Sequence, residues 1–501
     1  MALARLLSRG QRALEAYEVT VELYLAGGLP AFTITGLPAT AVRESKDRVR
    51  AALETAGQEY PQRRITAHLG PADVPKDGGR FDLAIAVGVV MAQRHGTWSD
   101  EHTELIGELA LSGELRPVTG ALPAVLAARD AGRAIIVPAA NAAEVALVTG
   151  AEAYAAGDLR AVLSHLEGGR KLARIEPRPP EPATFDAADL ADVRGQAQAK
   201  RALLIAASGA HNVLLIGPPG SGKSMLAERF RGLLPPLDIQ DMLLVASIAS
   251  VAGDRALLGM GLRPPFRAPH HTASAAALVG GGGRVRPGEI SLAHRGVLFL
   301  DELPEFSRIA LEALREPLEA GVARISRVRD HVEFPAEFQL IAAMNPCPCG
   351  YRGDGTDRCR CTPARLEQYR ARISGPLLDR IDLQVRIERL TSAARVLSDQ
   401  AHSSAEIRSR VIEARARAAQ RLRETPWTLM GRVAGSWLRK HQPLPGEATA
   451  AIDEALRRGL ITMRGYDRVL RVAFTMSDIA GIPQPTRAEI GAALAFRRVT
   501  P

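Results

Sequence analysis

The sequence predicts a multidomain α/β fold with, in chain order, an α+β domain, a P-loop core built on a parallel sheet, and a helical domain. Its 501 residues suffice for roughly two to four domains. Strand-like and helical runs alternate up to residue 390, whereas residues 391–501 read as helices alone. Because a proline-rich stretch at 176–186 marks a boundary, we expect a first domain at 1–170, a linker at 171–188, the core at 189–390 and the helical domain at 391–501.

The charge of the chain is unevenly distributed. The formal net charge is +9, and residues 391–501 hold 18 Lys and Arg against 10 Asp and Glu. Such a segment favours an anionic partner such as nucleic acid, although a solvated, arginine-rich helical surface explains it equally well. No secretory leader and no run of about 18 apolar residues is present. We therefore expect a cytoplasmic protein with no membrane partner.

Residues 1–170 have the alternation expected of an α+β domain. Two stretches, 40–56 and 81–91, have the apolar spacing of helices. Runs that favour strands occur at 19–25, 32–35, 64–69 and 134–138.

Residues 217–224 read G-x-x-x-x-G-K-S and directly follow an apolar run at 213–216. A helical stretch begins at Met225. In this context glycines let backbone N–H groups surround phosphate oxygens, and the helix N-terminus favours negative charge. We expect Lys223 to reach the β- and γ-phosphates and Ser224 to hold Mg²⁺. The predicted ATP-binding loop comprises Gly217, Pro218, Pro219, Gly220, Ser221, Gly222, Lys223 and Ser224.

Two more apolar runs end in polar residues that suit hydrolysis. The run at 297–300 is followed by Asp301 and Glu302, and the run at 338–344 by Asn345. We expect Asp301 to hold Mg²⁺ through water and Glu302 to polarise the attacking water. The amide of Asn345 would position that water without competing for the metal. The alternative for the two carboxylates is a solvated acidic turn.

Arg380 lies in the stretch Leu-Leu-Asp-Arg-Ile-Asp at 377–382. A planar cation here is a candidate finger that reaches the γ-phosphate bound by a neighbouring subunit. An ordinary ion pair with Asp379 or Asp382 is the alternative, and spacing alone does not separate the two.

All four cysteines fall within residues 347–361, as an insertion in the predicted core. Four thiolates in two tight pairs suit tetrahedral structural zinc, and four protein ligands leave no open position for catalysis. The Cys-x-Cys spacing is shorter than usual, so free or redox-active thiols are the alternative. The predicted zinc ligands are Cys347, Cys349, Cys359 and Cys361.

Two further segments of the core are candidates for contact with a partner. Residues 324–334 read as a hairpin whose basic residues are candidates for DNA phosphates or for a solvated edge: Arg324, Arg327 and Arg329. The pair His270–His271 precedes a glycine run at 280–283. Adjacent histidine side chains diverge, which favours a DNA-facing or structural loop over a metal site.

Together, these motifs resemble AAA+ ATPases, and more closely the ComM/YifB family of the magnesium-chelatase-like branch. The similarity rests on the blocks FRAPHHTAS at 266–274, LVGGG at 278–282, PGEISLAH at 287–294 and DELPEF at 301–306. It extends over nearly the whole chain, and it implies a helical lid at 391–501.

The resemblance also implies roles for individual residues. It makes Arg380 the arginine finger, and Arg464 the second sensor on the lid, with Arg471 as the alternative. It places Val193 and Gln196 against adenine. It further implies a homo-oligomer, a hexameric ring, that uses ATP and Mg²⁺ to drive DNA branch migration in natural transformation.

The first domain resembles the proteolytic domain of Lon-type proteases. The similarity rests on the segments at 72–82, 113–118 and 136–141. Arg80 stands where that family has its nucleophilic serine, and the stretch 121–125, where its lysine base falls, contains no lysine. The Ser–Lys mechanism cannot run without either group. We therefore expect the Lon-like fold without protease activity.

These observations favour an ATP-driven, ring-forming DNA motor, a branch-migration helicase that acts in natural transformation or recombination. The alternative is a chelatase-type or chaperone-like remodeller of a protein partner. A third reading is a module that recognises peptides through its inactive protease-like domain.

Overall fold

The computed structural model describes residues 2–39, 42, 44–180, 182–183, 188–282, 285–327, 330–353, 355, 357–389 and 402–497. The chain divides into two compact units. The first contains residues 1–181 and 239–261, and the second contains residues 182–238 and 262–501. The segment 239–261 lies inside the core that the sequence predicts, but in the structure it belongs to the first unit.

The first unit is built around a mixed sheet. Its elements before residue 181 are β1 Ala2–Arg12, β2 Glu15–Ala26, β3 Ala31–Thr35, α1 Ser45–Thr55, β4 Arg64–Gly70, α2 Asp82–His95, β5 Thr97–Leu105, β6 Glu108–Leu109, β7 Leu115–Arg116, α3 Ala121–Asp130, β8 Ala134–Pro138, α4 Ala142–Val145, β9 Glu152–Ala156, α5 Leu159–Leu166 and β10 Ala173–Arg174. The order in the sheet is β10-β9-β8-β5-β1-β2-β4-β3. Strand β10 thus pairs within the segment that the sequence predicts to be linker.

Helix α2 is the centre of this unit. Residues 82–92 are all buried, because the helix packs on β1, β2 and β5 and is also covered by α1 and α5. A helix that is covered on both sides must be apolar around its whole circumference. Its one buried acid, Asp82, accepts a hydrogen bond of 2.7 Å from Arg48, which satisfies the charge.

The second unit contains a parallel sheet and a set of helices. In chain order, the elements from residue 197 are α6 Ala197–Gly209, β11 Val213–Ile216, α7 Lys223–Phe230, α8 Ile239–Ala252, α9 Arg255–Leu258, β12 Phe266–Arg267, α10 Ala275–Val279, β13 Gly280–Gly281, β14 Arg286–Pro287, α11 Glu289–Leu292, β15 Val297–Leu300, α12 Arg308–Ala313, α13 Arg315–Ala320, β16 Val322–Arg327, β17 Asp330–Pro335, β18 Gln339–Met344, α14 Pro363–Arg370, α15 Gly375–Leu378, β19 Leu383–Arg386, α16 Ser404–Arg421, α17 Gly435–His441, α18 Gly446–Arg457, α19 Met463–Ala480 and α20 Arg487–Ala495. Of these, α8 and α9 belong to the first unit.

The parallel sheet has the order β12-β15-β18-β11-β19. Each neighbouring pair is parallel, as the apolar runs of the sequence predict. Parallel strands end at one edge, so the residues that follow β11, β12, β15 and β18 meet there. This edge positions the candidate site.

The C-terminal helices pack into the same unit as the sheet. Helix α16 begins with a capping box, in which Ser403 and Glu406 bond each other's backbone N–H groups. Buried residues of α16 and α19 join one apolar core with α6 and the strands. No helix in the described part of the chain combines the length and apolar composition that a membrane span requires.

Candidate functional site

The predicted phosphate loop joins β11 to α7. Gly220 and Gly222 have φ angles of +74° and +91°, a region that favours glycine. An added Cβ would meet no atom within 4 Å at either position, so the loop surrounds open space. The hydroxyl of Ser221 is buried and has no hydrogen-bond partner among the described residues. A concave backbone with an unused donor fits a phosphate group.

The side chain of Lys223 lies inside this loop. Its ammonium donates hydrogen bonds to the carbonyl oxygens of Gly217 and Pro218, at 2.8 and 3.0 Å, and to the amide oxygen of Asn345, at 3.1 Å. Burial lowers the pKa of Lys223, and the nearby carboxylates of Asp301 and Glu302 oppose that shift. Lys223 and Asn345 are therefore brought together, as the strand order requires.

The two residues predicted to hold Mg²⁺ are also adjacent. The Ser224 hydroxyl donates a hydrogen bond of 2.7 Å to Oδ2 of Asp301. The other oxygen of Asp301 accepts the backbone N–H of Glu302 at 2.9 Å. Hydroxyl and carboxylate oxygens are the hard ligands that Mg²⁺ prefers, so this pair fits the ion.

Glu302 lies at the same edge, half exposed. Its φ angle of +51° is unusual for a residue with a side chain. Oε2 of its carboxylate lies 3.3 Å from Nδ1 of His271. The sequence singled out His271 without linking it to Glu302. The contact arises because β12, which precedes the histidine pair, pairs with β15 in the parallel sheet, and the sequence carries no local signal of that pairing.

Val193 and Gln196 lie before α6. Val193 is buried. The Gln196 side chain donates to the carbonyl oxygens of Glu388, at 2.7 Å, and Ser221, at 3.4 Å. Gln196 thus contacts the phosphate loop, and a direct contact of these two residues with adenine stays a prediction.

Arg380 is buried and bonded within its own chain. It pairs with Glu319 at 2.8 Å and donates to the carbonyl oxygens of Arg315 and Pro376. The expected alternative, an ordinary ion pair, is present in the structure, but its partner is Glu319 and not Asp379 or Asp382. Those carboxylates pair with other arginines, Arg497 and Arg468 respectively.

Asp382 anchors the region around Arg380 to helix α19. Burial would raise its pKa, but Arg468 and His211 outweigh that effect and hold the pKa well below its usual range. The backbone N–H of Asn212 also donates to it. Arg468 further donates to the carbonyl of Arg380, so the strand that follows Arg380 is tied to the C-terminal helices.

The four cysteines form one cluster. Their Sγ atoms all lie within 4.8 Å of one another, with 3.3 Å between Cys347 and Cys349 and 3.8 Å between Cys347 and Cys359. Tetrahedral zinc with bonds of about 2.3 Å holds sulfurs about 3.8 Å apart, so the donor set fits the ion. Among the described residues, these four cysteines are the one group of three or more His, Cys, Asp or Glu side chains that could hold a metal ion. The pair His270–His271 belongs to no such group.

Comparison with known proteins settles the family. The model for "Magnesium chelatase, subunit ChlI" matches residues 189–395, that for "Subunit ChlI of Mg-chelatase" matches 21–141, and that for "Magnesium chelatase, subunit ChlI C-terminal" matches 401–497. Competence protein ComM of Haemophilus influenzae is 42% identical over 99% of this chain and 98% of its own length. YifB of Salmonella typhimurium, described as uncharacterized, is 44% identical over 100% and 98%. An uncharacterized protein of Mycobacterium tuberculosis is 47% identical over 99% of both chains.

The chain belongs to the ComM/YifB family of magnesium-chelatase-like proteins. The family is one of AAA+ ATPases, and ATP and Mg²⁺ fit the loop, hydroxyl and carboxylate described above.

In this member of the ComM/YifB family, the predicted hairpin is present as β16 and β17. Arg324 is exposed and pairs with Glu333 and with Glu316, each at 2.7 Å. The side chain of Arg327 and the whole of Arg329 lie outside the described residues.

The two candidates for the second sensor occupy different places on α19. Arg464 lies exposed in the first turn. Arg471 lies deeper, where burial lowers its pKa to about 10 although the carboxylate of Asp382 opposes that shift. Exposure leaves Arg464 free to meet a ligand, so it remains the better candidate.

Arg80 is the residue that the sequence comparison sets where Lon-type proteases have their serine. It is buried, donates to the carbonyl of Thr119 at 2.6 Å, and burial lowers its pKa to about 10. A guanidinium cannot attack a peptide bond, so this position supplies no nucleophile.

Proposed function

We propose that this protein is an ATP-hydrolysing, ring-forming motor that acts on single-stranded or branched DNA, as a branch-migration helicase in natural transformation or recombination. The observation that carries the hydrolytic part is the meeting of Lys223, Ser224, Asp301 and Asn345 at one edge of the parallel sheet. Glu302 lies beside them.

In this proposal each residue has a definite task. Lys223 and the loop N–H groups bind the phosphates, while Ser224 and Asp301 hold Mg²⁺, which when bound neutralises phosphate charge. Glu302 accepts a proton from the attacking water, and Asn345 orients that water. Arg464 senses the bound nucleotide from the lid.

In this proposal the ATP site is shared between two subunits, and Arg380 is the residue that the neighbouring subunit contributes. Its contact with Glu319, a half-exposed carboxylate, would have to break before the guanidinium could reach a neighbouring subunit. A ring that brings subunits together in head-to-tail order would supply that neighbour.

The DNA part is supported by charge and by a relative. Residues 391–501 carry most of the excess positive charge, and one full-length relative is named a competence protein. The ion pairs of Arg324 are exposed, and exposed pairs contribute little stability, so phosphates can compete for this guanidinium.

A second function, remodelling of a protein partner, is favoured by one specific observation. Both contacts of the Arg324 side chain in the structure are with carboxylates, those of Glu316 and Glu333. These carboxylates already neutralise the charge of its guanidinium. The family models, named after a magnesium chelatase subunit, agree with this alternative.

The ATPase rate with and without branched and single-stranded DNA, across a salt titration, separates the two functions. DNA should raise the ATPase rate of a DNA motor. Its affinity for DNA should fall steeply as salt rises, with a slope of log K against log [salt] of about −0.7 per phosphate contact on single strands. Arg324→Ala should flatten that slope, whereas Arg50→Ala, which removes an equally exposed ion-paired arginine of the first unit, should not. A rate that ignores DNA at every salt concentration would contradict the DNA motor and favour the remodeller.

We also propose that the cysteine cluster binds structural zinc. The donors are sulfur atoms at distances that suit tetrahedral coordination, and a closed four-ligand site stabilises a loop without taking part in catalysis. The first unit retains a Lon-protease-like fold in this proposal, as a domain without protease activity.

A further inference from the structure

The cysteine cluster begins directly after the strand end that carries Asn345. Cys347 follows Asn345 by two residues. Residues 347–350 form a turn in which the backbone N–H of Gly350 donates to the carbonyl of Cys347 at 2.9 Å. Two of the four proposed zinc ligands, Cys347 and Cys349, belong to this one turn. The cluster and Asn345 are therefore parts of the same short stretch of backbone.

Gly350 presents the backbone of this turn to the phosphate loop. An added Cβ at Gly350 would lie 2.7 Å from Cγ and Cδ of Pro219, and 3.9 Å from Cγ of Asn345. The φ angle of Gly350 is +85°, a region that favours glycine. The turn thus packs on a residue of the phosphate loop and lies beside the amide that would orient water. A side chain at this position would displace Pro219.

The other end of the cluster reaches the same site through helix α14, which begins two residues after the last cysteine. Burial raises the pKa of Tyr369 in this helix to about 12 and Glu305 adds to the shift, whereas a hydrogen bond from the backbone N–H of Asn345 lowers it. Just beyond the helix, Arg372 donates to Oε2 of Glu305 at 2.8 Å and to the carbonyl of Pro304 at 3.3 Å. Helix α14 therefore contacts both Asn345 and the turn that follows β15.

The segment between these contacts has little except its thiols to hold it in shape. Among its described residues none lies in a helix or a strand between β18 and α14. Of those described within 347–361, only Cys347 and Gly350 are buried. Four thiolates that share one metal ion would order such a loop, because metal-binding free energy then becomes folding free energy. Zinc at the cluster would therefore fix the position of Gly350.

We propose that Gly350 is a positioning residue through which the cysteine cluster holds Pro219 and Asn345 in place, so that nucleotide binding and hydrolysis depend on zinc. Gly350 has no contact with the nucleotide in this proposal, which rests on the proposed roles of the phosphate loop and of Asn345. Because a coupling between two sites is reciprocal, bound ATP should in turn hold zinc in the cluster.

Two glycine variants of the full chain separate this contact from the general effect of altering the loop. Gly350→Ala places a methyl group against Pro219, whereas Gly353→Ala makes the same change at a φ angle of +73° with no atom within 4 Å. Gly350→Ala should weaken the binding of a fluorescent ATP analogue and lower kcat, each by about 2- to 30-fold. Gly353→Ala should match the wild type. Metal analysis should find zinc retained in both variants.

The rate of zinc release gives a readout that needs no turnover. With Mg²⁺ present, a non-hydrolysable ATP analogue should slow the transfer of zinc from the wild-type chain to a nitrogen-donor chelator by about fivefold or more. Such a chelator leaves Mg²⁺ in solution, because Mg²⁺ prefers oxygen ligands. The analogue should protect the zinc of Gly353→Ala equally and that of Gly350→Ala much less.

Tyr369→Phe tests the contact from helix α14 with a smaller change, because it removes one hydroxyl and no packing. The kcat should fall by about three- to tenfold while the KM for ATP and the zinc content stay unchanged. Tyr154→Phe removes a hydroxyl that donates to Glu152 at 2.7 Å in the first unit, and it should change none of these. A wild-type kcat in Tyr369→Phe would show that this hydroxyl does not position Asn345.

Two results would overturn the proposal as a whole. Equal ATP affinity and equal kcat in Gly350→Ala and Gly353→Ala would show that the contact with Pro219 positions nothing. A rate of zinc release from the wild-type chain that ignores the ATP analogue would remove the link to the metal. A wild-type chain that binds no ATP analogue at all would instead remove the proposed function itself.

Discussion

The ammonium of Lys223 and the amide oxygen of Asn345 are joined by a hydrogen bond of 3.1 Å, although the residues lie 122 positions apart in the chain. The bond exists because β11 and β18 are parallel neighbours. It connects the group that would bind phosphate to the group that would orient water. Binding and hydrolysis are thus expected to be separable by substitutions on the two strands.

Substitution of Lys223 should abolish nucleotide binding. With ATP and Mg²⁺ at 100 times the dissociation constant, the wild-type chain should gain about 2.7 kcal/mol of stability. Lys223→Ala should gain none, because the buried ammonium is the cation inside the loop. Thermal unfolding with and without ATP measures this gain. Lys440→Ala, on a surface helix, is the control, and equal stabilisation of Lys223→Ala would contradict the assignment.

Substitution of Asn345 should slow hydrolysis more than it weakens binding. Asn345→Ala removes the amide that orients water but leaves the loop intact, so kcat should fall by roughly 10- to 100-fold. The KM for ATP should change less, which a steady-state titration shows. If the KM rises and kcat is preserved, Asn345 serves binding alone.

A mixture of two inactive variants tests whether Arg380 acts on a neighbouring subunit. Arg380→Ala and Glu302→Gln should each lose turnover. Mixed in equal amounts, they should restore about a quarter of the interfaces in a head-to-tail ring, since each variant supplies what the other lacks. Activity of the mixture is measured after subunit exchange. Absence of recovery, with both variants folded and assembled, would place Arg380 in a structural role.

The role of the Arg380–Glu319 pair can be tested without removing the guanidinium. Glu319→Gln frees Arg380 from its partner while Arg380 itself stays in place. If Arg380 acts in trans, this variant should retain or increase turnover. Loss of activity equal to that of Arg380→Ala would show that the ion pair, rather than a finger, is what hydrolysis needs.

The cysteine cluster should hold about one zinc per chain. Metal analysis of protein purified without added metal measures this. The double variant Cys359→Ser, Cys361→Ser should lose the metal, and its two remaining thiols should react with a thiol reagent under native conditions. A wild-type protein with no metal and four reactive thiols would favour the alternative of free cysteines.

His294 should make stability depend on pH. Its Nδ1 accepts the N–H of Glu337 at 3.0 Å, and burial lowers its pKa to about 3. Between pH 3 and the ordinary histidine pKa of about 6.5, the His294 imidazole is protonated in the unfolded state but neutral in the folded state. Stability is therefore full above pH 6.5 and falls by up to about 1.4 kcal/mol per pH unit below it.

Urea unfolding at several pH values measures this dependence. His294→Gln should be less stable at pH 8 but should lose less stability on acidification than the wild type does. The exposed His402→Ala variant should follow the wild-type curve. A His294→Gln curve with the wild-type slope would assign the pH dependence to other groups.

Much of the fold could be predicted because its signals are local. The phosphate loop follows from glycines at 220 and 222, which alone adopt their φ angles at low cost. The Ser-x-x-Glu pattern at Ser403 and Glu406 is likewise a local signal, and it coincides with the start of α16. Strands β1 and β5 were missed, and β1 in particular carries arginines at positions 5, 9 and 12 that interrupt its apolar pattern. Arg9 is satisfied by Glu104, 95 positions away, which no local pattern reveals.

The sequence by itself determined which residues could bind phosphate, hold Mg²⁺ or bind zinc, because these groups depend on short spacings and on strand ends. Only the tertiary structure decided their partners. It paired Arg380 with Glu319, set His271 against Glu302, and placed the segment 239–261 in the first unit. The physical reason is that strand order and helix packing bring distant side chains within hydrogen-bonding distance, and that order is set by the burial of the whole chain rather than by neighbouring residues.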